Sequence, residues 1–61
     1  MKPTIVLTGQ DGNIFNLIGI ASRALKRSGQ SEEAKKMQNE AFASGSYHEA
    51  LAVIMKYCDV E

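Results

Sequence analysis

This chain is too poor in cysteine to be stapled: Cys58 stands alone among 61 residues, so no disulfide can close within it. His48 is the single histidine, and one thiol plus one imidazole fall short of the four ligands of a structural zinc site. An excess of charge of one sign is also missing. Seven basic residues balance seven acidic ones, which removes any overall attraction to nucleic acid or to an anionic membrane. No apolar stretch approaches the ~20 residues that span a bilayer. Nor does a signal-like apolar segment follow Lys2-Pro3. The expectation is a soluble, cytoplasmic protein without membrane association. Tryptophan is absent and tyrosines number two, so the chain absorbs feebly near the usual protein band.

What is present describes a folded domain. The apolar fraction of 44% and charged fraction of 23% are ordinary for globular chains and argue against disorder. At this size a hydrophobic core is only just sufficient. With metal and disulfide staples excluded within one chain, efficient packing or self-association must supply the rest.

Thr4 to Leu7 has high β propensity, and Pro3 suits the first position of a strand, where no ladder donor is needed. Gly9, Asp11, Gly12 and Asn13 form a turn cluster. From Ile14 the apolar period becomes helical: Ile14, Leu17, Ile18, Ala21, Ala24 and Leu25, with Phe15 and Ile20 widening the face. A helix over about 13–28 is predicted, capped by Asp11 or Asn13 and closed by Gly29. A second helix starts at Ser31 with Glu32 and Glu33 in its first turn, carries the stripe Ala34, Met37, Ala41 and Phe42, and ends at Gly45. Ser46 and Glu49 match the capping-box spacing, and Tyr47, Ala50, Leu51, Ile54 and Cys58 make the inner face of a third helix. The predicted architecture is a single α+β domain over residues 1–61, an N-terminal β-strand followed by three α-helices. There is room for a short closing strand around Tyr57 to Val60 that pairs with the first. Its expected core is Ile5, Leu7, Ile14, Leu17, Ile18, Ala21, Leu25, Met37, Phe42, Leu51 and Ile54.

A lone strand presents unpaired backbone groups. Either the C-terminal tail satisfies them within the chain, or the same strand of a second copy does so across a two-fold axis. The two solutions are not exclusive.

The turn ahead of the first helix is a candidate anion-binding turn through Gly9, Gly12 and Asn13, because helix N-termini present free donors. Against it, the residues after the turn lack the lysine and hydroxyl of a P-loop, the dinucleotide fingerprint is absent, and Asp11 would repel an anion. The plainer expectation is that the glycines permit positive φ while Asp11 and Asn13 cap the helix. A calcium-loop reading of Asp11-Gly12-Asn13 fails because Ser22 occupies the place of the closing glutamate.

Arg23, Lys26, Arg27, Lys35 and Lys36 form a candidate nucleic-acid patch around a helix–turn–helix arrangement. Yet Glu32 and Glu33 open the second helix where a groove would be met, and no aromatic residue interleaves with the cations. Catalytic chemistry has little footing. His48 and Glu49 are neighbours on a helix, so their side chains diverge; Ser46 is occupied by capping; Cys58 lacks a visible base. No catalytic residue, metal ligand or cofactor site is assigned, and no enzyme is expected.

The string Lys2-Pro3-Thr4-Ile5-Val6-Leu7-Thr8-Gly9-Gln10-Asp11-Gly12-Asn13-Ile14-Phe15, with Ile18-Gly19, Arg23-Ala24-Leu25 and Gly45-Ser46-Tyr47, resembles a group of short uncharacterised bacterial proteins, some from phage-like or mobile elements. The resemblance implies a compact cytosolic α+β domain and supplies no catalytic or ligand residue. The function expected is a non-enzymatic protein-interaction module that self-associates and binds another protein, with a nucleic-acid-binding accessory role as the alternative.

Overall fold

The computed structural model describes residues 1–61 and runs β1 (Thr4–Ile5), α1 (Ile14–Arg27), α2 (Ser31–Ala43), α3 (Tyr47–Tyr57), β2 (Asp59–Val60). This is the α+β order expected; α1 and α3 begin at side-chain caps, whereas α2 follows Gln30 with no side-chain cap bond. Of the two candidate caps for α1, Asn13 takes the role: its Oδ1 accepts the Phe15 N–H at 2.9 Å. Asp11 acts one step earlier, its Oδ1 accepting the Asn13 N–H at 3.0 Å. At the other end Gly29 adopts φ +79°, where a Cβ is penalised. Its N–H reaches the Lys26 carbonyl at 3.1 Å and the Gln30 N–H reaches that of Leu25 at 2.8 Å, the paired bonds of a Schellman stop.

The second helix ends earlier than Gly45. Ser44 is its C-cap, donating its hydroxyl at 2.6 Å and its N–H at 3.2 Å to the Ala41 carbonyl. That serine closes the last turn, so Gly45 needs no left-handed conformation. In α3 the serine half of the capping box forms: the Glu49 N–H donates to Ser46 Oγ at 3.1 Å, while Glu49 Oε1 accepts the Ser46 hydroxyl at 3.3 Å in place of the Ser46 N–H.

The three helices pack on one another around a core of Ile5, Leu17, Ile18, Ala21, Leu25, Ala34, Met37, Ala41, Ala50, Ile54 and Cys58. Four of these are alanines, which let helix backbones approach while larger Leu25, Met37, Ile54 and Cys58 fill the centre. Leu7, Ile14 and Leu51 are half-buried against this cluster. Phe42 is not in the core but exposed. It lies one residue, about 100° of helix, beyond Ala41, and Ala41 is where α2 faces inward. The large ring is left on the flank, against the exposed Phe15 ring at 5.8 Å between centroids.

The closing strand resolves the pairing question within the chain. β2 runs parallel to β1, Thr4 opposite Asp59 and Ile5 opposite Val60. The Asp59 N–H donates to the Pro3 carbonyl at 2.9 Å, that of Glu61 to Ile5 at 2.8 Å, and that of Leu7 to Glu61 at 2.9 Å. A parallel pair requires a long crossover, and the three helices together provide it. Pro3, Ile5 and Leu7 therefore aim their backbone at β2, and by strand alternation Thr4 and Val6 aim theirs the other way. No helix is long and apolar enough to cross a membrane.

Candidate interaction surface

Of the turn at Gly9, Gly12 and Asn13, the Asn13 N–H is spent locally, whereas those of Gly9 and Gly12 donate to no acceptor within the chain. Asp11 and Asn13 side chains accept the Asn13 and Phe15 N–H groups, and Asn16 Nδ2 donates to the Asp11 carbonyl at 2.9 Å. Gly9 alone takes positive φ, at +81°; Gly12 does not, contrary to the expectation for both. What Gly12 supplies is a carbonyl, which accepts the Tyr47 hydroxyl at 2.7 Å.

The five cations divide. Arg23 and Arg27 sit one turn apart on the face of α1 beside β1, where they line a groove of about 320 Å³ with Thr4, Val6, Ile20 and Ala24. Lys26, one residue before Arg27, is turned about 100° away around the helix, and neither it nor Lys35 or Lys36 on α2 lines that groove. All five are exposed and none lies within ion-pair distance of a carboxylate; the ion pairs present are Lys2–Asp59 at 4.0 Å and Lys56–Glu40 at 2.9 Å.

The side chains with catalytic chemistry lie apart. Ser46 caps α3, His48 and Glu49 are exposed on its first turn, and Cys58 is buried in the core. Burial pushes the Cys58 thiol above its ordinary value, which disfavours the nucleophilic thiolate.

Apart from Met1, whose carbonyl accepts from Gln30 Nε2, and Val6 in the arginine groove, the exposed large apolar residues line two adjoining grooves. Phe15 is 66% exposed, Phe42 57%, Tyr47 47%, Met55 54% and Val60 37%. Two grooves meet at Tyr47. One, of about 380 Å³, runs over Leu7, Leu17, Leu51, Met55 and Val60; the other, of about 300 Å³, over Ile14, Phe15, Ile18, Phe42 and Ala50. Glu61 is the one charged side chain lining either groove. Singly scattered apolar residues are ordinary, whereas a contiguous set marks an interaction surface. Sequence reasoning assigned Phe42 and Tyr47 to the interior and Phe15 to a widened core face. The overlooked signal is positional: Tyr47 is the first residue of α3, directly after its cap, where a side chain lies at the rim of the bundle.

Two polar links between helices were also missed. Gln38 Nε2 donates to the buried Ser22 hydroxyl at 2.6 Å, joining α2 to α1. Glu40 accepts from Lys56 Nζ at 2.9 Å and from the Tyr57 hydroxyl at 2.9 Å, joining α2 to α3. Hydrogen bonding to Lys56 first, and to Tyr57 second, holds the Glu40 carboxyl below its usual range; the same bonds raise Lys56 and Tyr57.

No family model matches this chain, and neither a curated protein nor a solved structure matches it at a significant level.

Proposed function

We propose that this chain is a non-enzymatic protein-interaction module that pairs with a second copy of itself through the Phe15–Phe42–Tyr47–Met55–Val60 face. The observation carrying this reading is the gathering of five exposed large apolar residues around two adjoining grooves that hold no cation. Half-exposed side chains of this size each leave on the order of 100 Å² open. Two facing copies would then cover about 1,000 Å², the lower bound for a specific interface. Two such faces can meet without opposing cations, which suits an isologous pair. A cytoplasmic setting and kinship with the short bacterial proteins go with this reading and supply no residue to it.

Sedimentation equilibrium tests it over about 10 μM to 1 mM, where an interface this small associates. A monomer–dimer equilibrium is expected that persists at high salt, because apolar contact is little screened. The exposed double substitution Phe15→Ser/Phe42→Ser should abolish it while far-ultraviolet circular dichroism stays native. A monomer throughout that range overturns the reading.

A nucleic-acid-binding accessory role has one supporting observation, the unpaired state of Arg23, Lys26, Arg27, Lys35 and Lys36. Phosphate-driven binding weakens steeply with salt. Oligonucleotide affinity that is insensitive to charge reversal at Arg23 and Arg27 would end it.

A further inference from the structure

We infer that the free edge of β1 accepts an acidic, extended peptide segment of another protein, which adds a strand beside Thr4–Val6 and places a carboxylate on Arg23 and Arg27. In-chain pairing uses one edge of β1 only. The register directs Pro3, Ile5 and Leu7 to β2, and Val6 is left with neither its N–H nor its C=O in any hydrogen bond. An open strand edge is a template for another extended chain.

The groove beside that edge fits such a visitor in both shape and charge. Ile20 and Ala24 of α1 give it an apolar floor for the inward side chains of an added strand. Arg23 and Arg27 stand above that floor with no acidic partner, and guanidinium groups pair with carboxylates through paired N–H donors. Arg23 rests back along α1, one of its terminal nitrogens 3.5 Å from where a Cβ on Gly19 would lie. Its long stem can swing without disturbing the core.

Charge also selects the occupant. If β1 of a second copy paired here across a two-fold axis, two Arg23–Arg27 pairs would converge with no carboxylate between them. That opposes self-pairing at this edge, whereas an acidic segment is drawn to it. The groove shares no lining residue with the apolar face proposed for self-association, so either surface can fail alone.

The test is a nitrogen-edited NMR titration of the whole chain with a capped eight-residue peptide alternating valine and glutamate. A control peptide of equal charge carries prolines in place of the valines and cannot join a ladder. Binding of the first should shift the Thr4 and Val6 amides and slow exchange at Val6. The proline peptide should bind about tenfold more weakly or worse, as should the first peptide on the charge-reversed Arg23→Glu/Arg27→Glu chain. Retained amide dispersion in that variant shows that it still folds. Equal binding of both peptides, or shifts confined to the arginine side chains, overturns the inference in favour of a diffuse charge contact. Protection of Val6 that rises with protein concentration without peptide overturns it in favour of self-pairing. An oligonucleotide that displaces the peptide and protects no Val6 amide assigns the arginines to nucleic acid.

Discussion

The Tyr47 hydroxyl donates to the Gly12 carbonyl at 2.7 Å, a bond that ties the first residue of α3 to the loop before α1 across 35 positions. It fixes the hinge at which the two apolar grooves meet, since both are lined by Tyr47. Tyr47→Phe keeps the ring and loses the bond. Because the bond is exposed, urea denaturation should show a loss of about 0.5–1 kcal/mol, the lower half of the usual range. Self-association should be weakened less by this variant than by Tyr47→Ala, which also removes the ring.

Glu40, Lys56 and Tyr57 predict stability changes at both ends of the pH scale. The Glu40 carboxyl is held low, so its contribution is whole above its unfolded value near pH ~4.3 and fades as pH falls through the lower folded value. Lys56 and Tyr57 are raised, so their contributions are whole below about pH 10 and fade as pH rises through the folded values. The urea midpoint should therefore drop on both limbs. Glu40→Gln should lower the plateau between them and flatten each limb. An unchanged profile in that variant would show that this exposed network contributes nothing to folding.

Cys58 is the one thiol and is buried. Its N–H is bonded to the Ile54 carbonyl at 2.9 Å as the chain leaves α3 for β2. Ellman's reagent should react slowly with the native protein and rapidly in urea, since burial both shields the sulfur and disfavours the thiolate. The native rate should track opening of the β1–β2 clasp. A native rate equal to the unfolded one would place the sulfur at the surface.

Much of the fold was legible because local signals agreed with one another. The period from Ile14 to Leu25, the Asn13 cap and the Gly29 stop all mark α1, and the structure places it at Ile14–Arg27. The capping box likewise marked α3. The closing strand was legible as one of two partners for β1, but neither the choice between them nor the parallel register was, since two residues of strand carry no register of their own and the pairing depends on where three helices deliver Asp59. Phe42 was misplaced because a stripe read from spacing alone does not say which residue of an adjacent apolar pair the packing excludes; close helix approach favoured Ala41. The apolar face was hidden for the same reason, as aromatic residues in a helix read as core until the bundle's edge is known. Arg23 and Arg27 were legible as cations, but their separation from Lys26 and their place beside β1 needed the tertiary structure.

Two glycines should respond in opposite directions to alanine. Gly19 lies inside α1 without positive φ, and a Cβ there would meet only the flexible end of Arg23 at 3.5 Å. Gly19→Ala should raise stability by about 0.5–1 kcal/mol through lower unfolded-chain entropy and better helix propensity. Gly29→Ala meets open space yet must hold φ +79°, so it should lose about 1–2 kcal/mol. Thermal melts of both variants decide the matter, and equal shifts would refute the Schellman stop at Gly29.

The Gln38–Ser22 bond predicts an asymmetric pair of mutants. Ser22 is 3% exposed and Gln38 is half-buried, so the bond's two ends differ in access to water. Gln38→Ala removes the side-chain partner of a buried hydroxyl and should lose about 1–3 kcal/mol. Ser22→Ala removes the buried polar group instead and leaves a glutamine amide that can turn to solvent, so its effect should stay within about 0.5 kcal/mol. The double substitution should resemble Ser22→Ala more than Gln38→Ala, because once the hydroxyl is gone the amide has little left to satisfy. Urea unfolding of the three variants reads this coupling directly. Additive losses would mean that the two side chains act independently and that the 2.6 Å bond contributes nothing to holding α2 against α1.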